Sequence, residues 1–133
     1  MVALAAGLVV LVPFPFSDLS QAKLRPAGVL ADAGRDDWIL CQVTSNPYGD
    51  PRAILLSDSD FRHGSLRVKS YARPGKLFTA NSRLVVSDVG NLKGEALTRL
   101  SKLSLTFCGA AWRREQRLPD QLIIEAFLYH IVL

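Results

Sequence analysis

The stretch that decides the fold is residues 7–32, which read GLVVLVPFPFSDLSQAKLRPAGVLAD. Its apolar start, residues 7–16, is typical of a strand that is covered on both faces. A polar loop is expected to follow, and Arg25 and Pro26 then open a second strand over residues 25–31. Because proline biases the preceding residue towards an extended backbone, we expect Arg25 to be held firmly at the end of that strand.

Working outward, short strands and frequent turns continue along the chain. We predict further strands at residues 38–44, 53–56, 70–72, 76–79 and 84–89. The cluster TSNPYGDPR, residues 44–52, predicts a turn, and the polar residues 57–64 predict a tight turn or one helical turn. Strands this short with turns this frequent favour a small barrel.

The apolar period changes towards the C-terminus. Residues 92–107 place apolar side chains at three- and four-residue steps, which predicts an amphipathic helix capped by Asn91 and ended by Gly109. We therefore divide the chain into a barrel domain with a C-terminal helix, residues 1–108, and a polar linker with an apolar extension, residues 109–133. In the extension a helix is favoured over a strand.

Composition narrows the class of protein. The 133 residues suit one domain, and a net charge of +4 weakly favours an anionic partner, nucleic acid before membrane. Cys41 and Cys108 are too few for a disulfide framework and predict buried thiols in a reducing cytoplasm. The apolar N-terminus lacks a basic region and contains Pro13 and Pro15, so we interpret it as a buried strand and expect no membrane association.

Most patterns that carry chemistry are missing. There is no glycine-rich phosphate loop, histidine-rich metal pattern or nucleophile elbow, and no cofactor or metal is expected. The aspartates at 36–37 and 58–60 lie in predicted turns, where aspartate normally accepts hydrogen bonds from backbone N–H groups. An acid–base pair of His63 and His130 would need the tail to fold back over the barrel, so we favour packing and solvent-exposed roles for them.

The remaining candidates are Arg25 and the pair Thr44–Ser45, which two strand ends could bring to one rim of the sheet. A guanidinium group offers five donors and stays charged, which suits a phosphate, and a hydroxyl adds one more donor. A surface salt bridge for Arg25 and a turn hydroxyl for Thr44 explain the same pattern equally well.

Five stretches carry a family resemblance: GLVVLVPFPFSD, KLRPAGVLAD, DDWILCQVTSN, AILLSDSDF and YARPGKLFT. In order and spacing they resemble the MazF/PemK-type toxin endoribonucleases over roughly residues 7–107. The resemblance implies a mainly β fold with α, a small SH3-like barrel with a C-terminal helix, to which this chain adds an apolar C-terminal segment. It also implies a homodimer and a cognate antitoxin, with DNA contact only through the antitoxin complex.

The same resemblance implies an activity and its residues. It implies metal-independent, sequence-selective cleavage of single-stranded RNA by 2′-OH attack, leaving 2′,3′-cyclic phosphate and 5′-hydroxyl ends. The family's catalytic arginine falls on Arg25 and its catalytic threonine on Thr44, with Ser45 beside it. Residues expected to contact RNA are Phe16, Asp18, Ser20, Lys23, Tyr48, Arg52, Arg73 and Lys76.

The chain departs from the family pattern at three places. Leu8 replaces an acidic residue after the opening glycine, Ser20 replaces an acidic residue in the first loop, and Arg73-Pro74 replaces an acid–amide pair. Arginine cannot act as a base near neutral pH, and Asp18 is the only nearby carboxylate. A catalytically weak barrel that serves as an RNA- or protein-binding module therefore stays open as an alternative.

Overall fold

The computed structural model describes residues 2–15 and 22–116. Within these residues one antiparallel sheet of seven strands carries a C-terminal helix. The strands are β1 Leu8–Pro15, β2 Ala22–Gly34, β3 Asp37–Thr44, β4 Ile54–Leu56, β5 Phe61–Gly64, β6 Ser70–Asn81 and β7 Ser87–Leu92, and the helix is α1 Gly94–Gln116. The strand order in the sheet is β4-β6-β3-β2-β1-β7-β5. The mainly β fold with a C-terminal helix that the sequence predicted is confirmed.

The central strands are buried on both faces, as the continuous apolar run of β1 predicted. Successive side chains of a strand point to opposite faces of the sheet, so adjacent residues pack in different hydrophobic clusters. Val9 packs in the cluster that α1 covers through Leu100, whereas Val10 packs in a second cluster on the opposite face. Val2 and Leu4, which precede β1, pack against this second cluster.

Strand β6 is continuous, although the sequence predicted two short strands at 70–72 and 76–79. Its pairing with β3 passes from Cys41–Leu77 to Val43–Ala72 through a register shift. The residues between form a bulge, and Pro74 is tolerated there because it needs no ladder hydrogen bond. The strand predicted at 84–89 is also displaced: a 3₁₀ turn occupies Ser82–Leu84, and β7 follows.

The polar segment 57–64 contains the predicted helical turn and a strand that the sequence did not reveal. The turn is a 3₁₀ helix at Asp58–Asp60, and β5 follows it directly and pairs with β7. Strand β5 has four residues, of which Phe61 alone has a buried apolar side chain. Such a segment is too short to show the alternation of apolar and polar residues that indicates a strand.

Both predicted ends of the helix were wrong. Asn91, the predicted cap, belongs to β7, and α1 starts at Gly94 because Leu92 is buried as a strand residue paired with Phe61. The helix also continues through Gly109 to Gln116, so the start of the predicted linker is helical. One glycine costs a helix only about 1 kcal/mol, which good helix formers around it can offset. The rest of the predicted linker and the apolar extension lie outside the described residues.

One glycine lets α1 lie close to the sheet. A Cβ atom on Gly75 of β6 would lie 2.9 Å from the Phe107 ring, which is shorter than real contacts allow, so Gly75 is needed where the helix crosses β6. A Cβ atom on Gly28 of β2 would lie 3.7 Å from Leu100, which is an ordinary contact. No helix among the described residues is both long and apolar enough to cross a membrane.

Candidate functional site

Strands β2 and β3 separate at one end of the sheet. They are paired as far as Ala27 and Gln42. Beyond that pair β2 continues along β1 as far as Ala22, whereas β3 continues along β6 as far as Thr44. Pro26 has no N–H group with which to extend the β2–β3 ladder. This end of the sheet therefore opens between the two strands.

A pocket of about 180 Å³ lies at this opening. Its walls are residues 24–26 of β2, residues 43–45 around the end of β3, residues 66–68 of the β5–β6 connection, and Ser70 at the start of β6. Arg25, which pairs with Val12 of β1, and Thr44, which pairs with Tyr71 of β6, lie on the two strands that border the opening. The structure thus brings together Arg25, Thr44 and Ser45, the three residues predicted to be catalytic.

The Thr44 hydroxyl is engaged with the backbone of the following turn. Its Oγ1 donates to the carbonyl oxygen of Asn46 at 3.1 Å and accepts from the Asn46 N–H at 3.2 Å, and the residue is only 8% exposed. A hydroxyl has one proton, so Thr44 can donate to a bound oxygen only by releasing the Asn46 carbonyl. Ser45 is exposed and lines the same pocket. Of the two, Ser45 has the more accessible hydroxyl.

No described residue of this pocket is an evident general base. Its walls contain neither a carboxylate nor a histidine among the residues that the structure describes. Phe16, Asp18 and Ser20, which the sequence proposed for RNA contact, lie outside the described residues.

Tyr48, Arg52 and Arg73, predicted RNA contacts, do not line the pocket. They lie around the loop that follows Thr44. The Arg73 guanidinium faces the Tyr48 ring at 5.7 Å, and the Arg52 guanidinium lies over the Phe107 ring of α1 at 4.6 Å. The Arg73 Nε also lies 3.1 Å from the Asp50 carboxylate. These contacts connect the loop after Thr44 to β6 and α1.

Two predicted lysines also lie away from the pocket walls. Lys23 on β2 is exposed and lies two residues before Arg25, and Lys76 is exposed within the β6 bulge. Both add positive charge to the surface without lining the pocket.

Arg67 is a basic residue of the pocket that was not among the residues predicted from the sequence. It is exposed and stands on the wall that faces Arg25 and Thr44. The hydroxyl of Ser70 donates to the Val68 carbonyl oxygen at 2.8 Å, which fixes the backbone of that wall. The only sequence signal is the alternation in SLRVKS, residues 65–70, where basic side chains at 67 and 69 flank a valine.

Cys41 is not a nucleophile of this site. It is fully buried, and its Sγ donates to the Arg73 carbonyl oxygen at 3.0 Å. Burial raises the pKa of Cys41 to about 12, so the reactive thiolate is scarce at neutral pH. Its role is to hold β3 against the β6 bulge. In the described part of the chain, no group of three or more His, Cys, Asp or Glu side chains could hold a metal ion.

Comparison with known proteins is informative at the level of structure. No family model and no curated protein matches the sequence. A MazE–MazF complex from Deinococcus radiodurans matches with a TM-score of 0.62 at 20% identity, over 78% of this chain and 94% of that one. An endoribonuclease in complex with its cognate antitoxin from Mycobacterial species matches with a TM-score of 0.60 at 15% identity, over 82% of this chain and 96% of that one.

The chain has a MazF-type fold. A MazF toxin from Mycobacterium tuberculosis has the same architecture, with a TM-score of 0.56 at 14% identity over 73% of this chain and 91% of that one. The fold that the sequence resemblance implied is therefore confirmed. On this MazF-type barrel, Arg25, Thr44 and Ser45 surround the pocket at the divided end of β2 and β3.

Proposed function

We propose that this protein is the toxin of a toxin–antitoxin pair and an endoribonuclease that cuts single-stranded RNA. The observation that carries the proposal is the placement of Arg25, Thr44 and Ser45 around one pocket on a MazF-type fold. Similar structures include an endoribonuclease bound to its cognate antitoxin, which supports both the activity and the partner.

The pocket suits a phosphate that is attacked by the neighbouring 2′-OH of the RNA itself. The 2′ oxygen forms a bond to phosphorus, the bond from phosphorus to the 5′ oxygen breaks, and the 2′-OH proton leaves as the 5′ oxygen gains one. The substrate already holds nucleophile and phosphate together, so the protein needs to align them and to stabilise the added negative charge. The nucleophile comes from RNA, and this step needs no metal-activated water.

Arg25 has the role of stabilising the transition-state phosphate. Its fixed charge and planar donors match the non-bridging oxygens, and Ser45 and Thr44 supply hydroxyl donors from the opposite wall. Arginine does not release a proton near neutral pH, so none of these three residues is an effective general base. Asp18, the carboxylate that the sequence places nearest, stays the predicted candidate for that role.

The test is to incubate the purified protein with long unstructured RNA in EDTA and to map the ends of the products. We expect cleavage to persist and to leave 2′,3′-cyclic phosphate and 5′-hydroxyl ends at a limited set of sequences. All-DNA and 2′-O-methyl substrates should resist, since they lack the nucleophile. A 5′-phosphate product, or loss of cleavage in EDTA, would contradict the mechanism.

A second candidate function is a binding module that recognises RNA or protein without cutting. The hydrogen bonds between Thr44 and Asn46 favour it, because they occupy a hydroxyl that the enzyme needs. The walls formed by described residues also lack a general base. Binding of RNA by the wild-type protein with no cleavage under any condition would support this alternative.

We also propose a cytoplasmic homodimer that its antitoxin neutralises. The MazE–MazF complexes support an antitoxin partner, and the sequence resemblance implies the dimer. Light scattering measures the oligomeric state directly. Expression of the protein should arrest growth, and co-expression of a small protein encoded beside it should restore growth.

A further inference from the structure

A second pocket adjoins the one that holds Arg25. It has a volume of about 310 Å³, and residues 66–68 line both pockets. These three residues therefore form a ridge with one pocket on each side. The far wall of the second pocket is residues 55–58, where β4 passes into the 3₁₀ turn, and Lys69 completes it.

The charged side chains of the ridge and the second pocket are not engaged with each other. Arg67, Lys69 and Asp58 are exposed, and within the described residues they make no ion pair. Nearby Asp60 differs, because its carboxylate lies 3.5 Å from the Arg99 guanidinium and accepts from the Ser57 N–H at 2.9 Å. Asp60 thus has a structural role, whereas Asp58 presents a carboxylate to the pocket.

Both walls of the second pocket are held by local hydrogen bonds. On one side the Ser57 hydroxyl lies 3.0 Å from the Asp60 carboxylate and fixes the 3₁₀ turn that carries Asp58. On the other side the Ser70 hydroxyl donates to the Val68 carbonyl oxygen and fixes the ridge that carries Arg67. Such supported walls can hold a ligand group in one orientation.

We propose that the second pocket binds the base of a nucleotide next to the scissile phosphate, with Arg67 on the connecting backbone and Asp58 on the edge of the base. This inference rests on the proposed function, because it takes the first pocket as the site of the scissile phosphate. An RNA strand that leaves the first pocket and crosses the ridge passes Arg67 first and then reaches Asp58. Leu55, Leu66 and Val68 offer apolar surface to the face of the base.

The carboxylate of Asp58 determines which chemical group enters. The carboxylate repels a phosphate, so the RNA backbone should follow Arg67 and Lys69 while the base enters the second pocket. A carboxylate accepts hydrogen bonds only, and guanine presents two neighbouring donors, its N1–H and its amino group. Cytosine and adenine present one amino group, and uracil presents an N–H between two oxygens that the carboxylate repels. The site should therefore prefer guanine and disfavour uracil.

The test measures binding separately from cleavage. The probes are 2′-O-methyl ten-nucleotide oligomers that cannot be cut: one of uridines only, and three with a single central G, C or A. We expect the wild-type protein to bind the G oligomer about tenfold more tightly than the uridine oligomer, and Asp58→Asn to remove that preference. Asp36→Asn, in the exposed β2–β3 turn, is the matched control and should retain it.

The role of Arg67 is tested by the salt dependence of the same binding. Loss of one phosphate contact on a single strand should reduce the slope of log K against log salt by about 0.7. We expect Arg67→Ala to show this loss, Arg67→Lys to restore the slope, and Arg35→Ala to leave it unchanged. Circular dichroism monitors folding, and Arg67→Gln and Asp58→Ser replace any variant that fails to fold.

The outcomes separate this inference from the proposed function. The inference would be overturned if the wild-type protein shows no base preference. It would also be overturned if the base preference survives Asp58→Asn and the salt slope survives Arg67→Ala. Either result would count against the inference even if RNA is cut normally. A preference that Asp58→Asn removes, in a protein that never cuts the matching ribo-oligomer, would uphold the base-binding pocket and refute the nuclease.

Discussion

Arg73 of β6 directs its Nε at the Asp50 carboxylate from 3.1 Å, and the two side chains are only 16% and 14% exposed. The pair joins β6 to the loop that follows Thr44. Because Arg73 does not line the candidate site, it acts on the site by holding the loop that begins there. Arg73, which the sequence proposed for RNA contact, therefore has a structural role beside the candidate site.

Asp50→Asn should destabilise the protein in a pH-dependent way. The backbone N–H of Arg52, and next the Arg73 side chain, hold the pKa of Asp50 below its ordinary value of 3.8. The ionised carboxylate therefore stabilises the fold above pH 3.8, and that stabilisation disappears as the pH falls through the lowered pKa. We expect a loss of about 1–3 kcal/mol at pH 7, measured by urea unfolding. A difference between wild type and variant that stays constant down to pH 2 would contradict this account.

Arg25→Ala should abolish RNA cleavage without unfolding the protein. Loss of one preorganised donor to the transition state typically costs about 10²–10³ in rate. Arg35→Ala is a matched control, since it removes the same charge from the exposed turn at the other end of β2. We expect Arg35→Ala to cut at the wild-type rate in a gel assay of labelled RNA. A folded Arg25→Ala protein with near-wild-type activity would refute the assignment.

Substitutions of Thr44 and Ser45 should differ in their effects on stability and on the rate of RNA cleavage. Thr44→Val removes both hydrogen bonds to Asn46 and should cost about 1–2 kcal/mol of stability as well as activity, while Thr44→Ser should retain both. Ser45→Ala lies at an exposed position, so its stability should change by less than about 0.5 kcal/mol while its cleavage rate falls. Thermal melts and single-turnover rates measure the two effects. Equal activity of Ser45→Ala and wild type would leave Ser45 without a role in cleavage.

Gly75→Ala should disturb the docking of α1. Its new Cβ would lie 2.9 Å from the Phe107 ring, so the ring that lies under the Arg52 guanidinium must move. We expect a loss of about 1–3 kcal/mol in urea unfolding. Gly94→Ala is the control, because nothing lies within 4 Å of its new Cβ, and it should be neutral or slightly stabilising. Equal stability of the two variants would show that the helix tolerates a larger separation.

Truncation after Gln116 should weaken the proposed homodimer. The sequence 118–133 has an apolar stripe that includes Leu122, Phe127 and Ile131, and a chain of this size would have difficulty covering it alone. This cut keeps all the described residues of α1, Gly94–Gln116. We expect a lower melting temperature or a shift towards monomer in light scattering. An unchanged, soluble dimer would show that the extension is dispensable.

The sequence by itself determined the features that depend on local patterns. The continuous apolar run of β1 indicated a strand buried on both faces, and this is confirmed because side-chain alternation acts over a few residues. The Arg25-Pro26 junction indicated an extended backbone, which is also present, but the prediction that the strand begins at Arg25 was wrong. Strand β2 begins at Ala22, so Arg25 lies within the strand, beyond the point where its pairing with β3 ends. The same locality explains why the stretches around Arg25 and Thr44 were enough to point to the MazF-type fold.

Only the tertiary structure decided how those parts meet. The pairing of β3 with β6 places Pro74 in a bulge, and the pairing of Arg73 with Asp50 spans 23 residues of chain. Arg67 reaches the pocket from a connection far from Arg25 in sequence. Register and long-range charge pairing depend on strands that are distant along the chain, so local patterns of burial and turn chemistry do not encode which side chains they bring together.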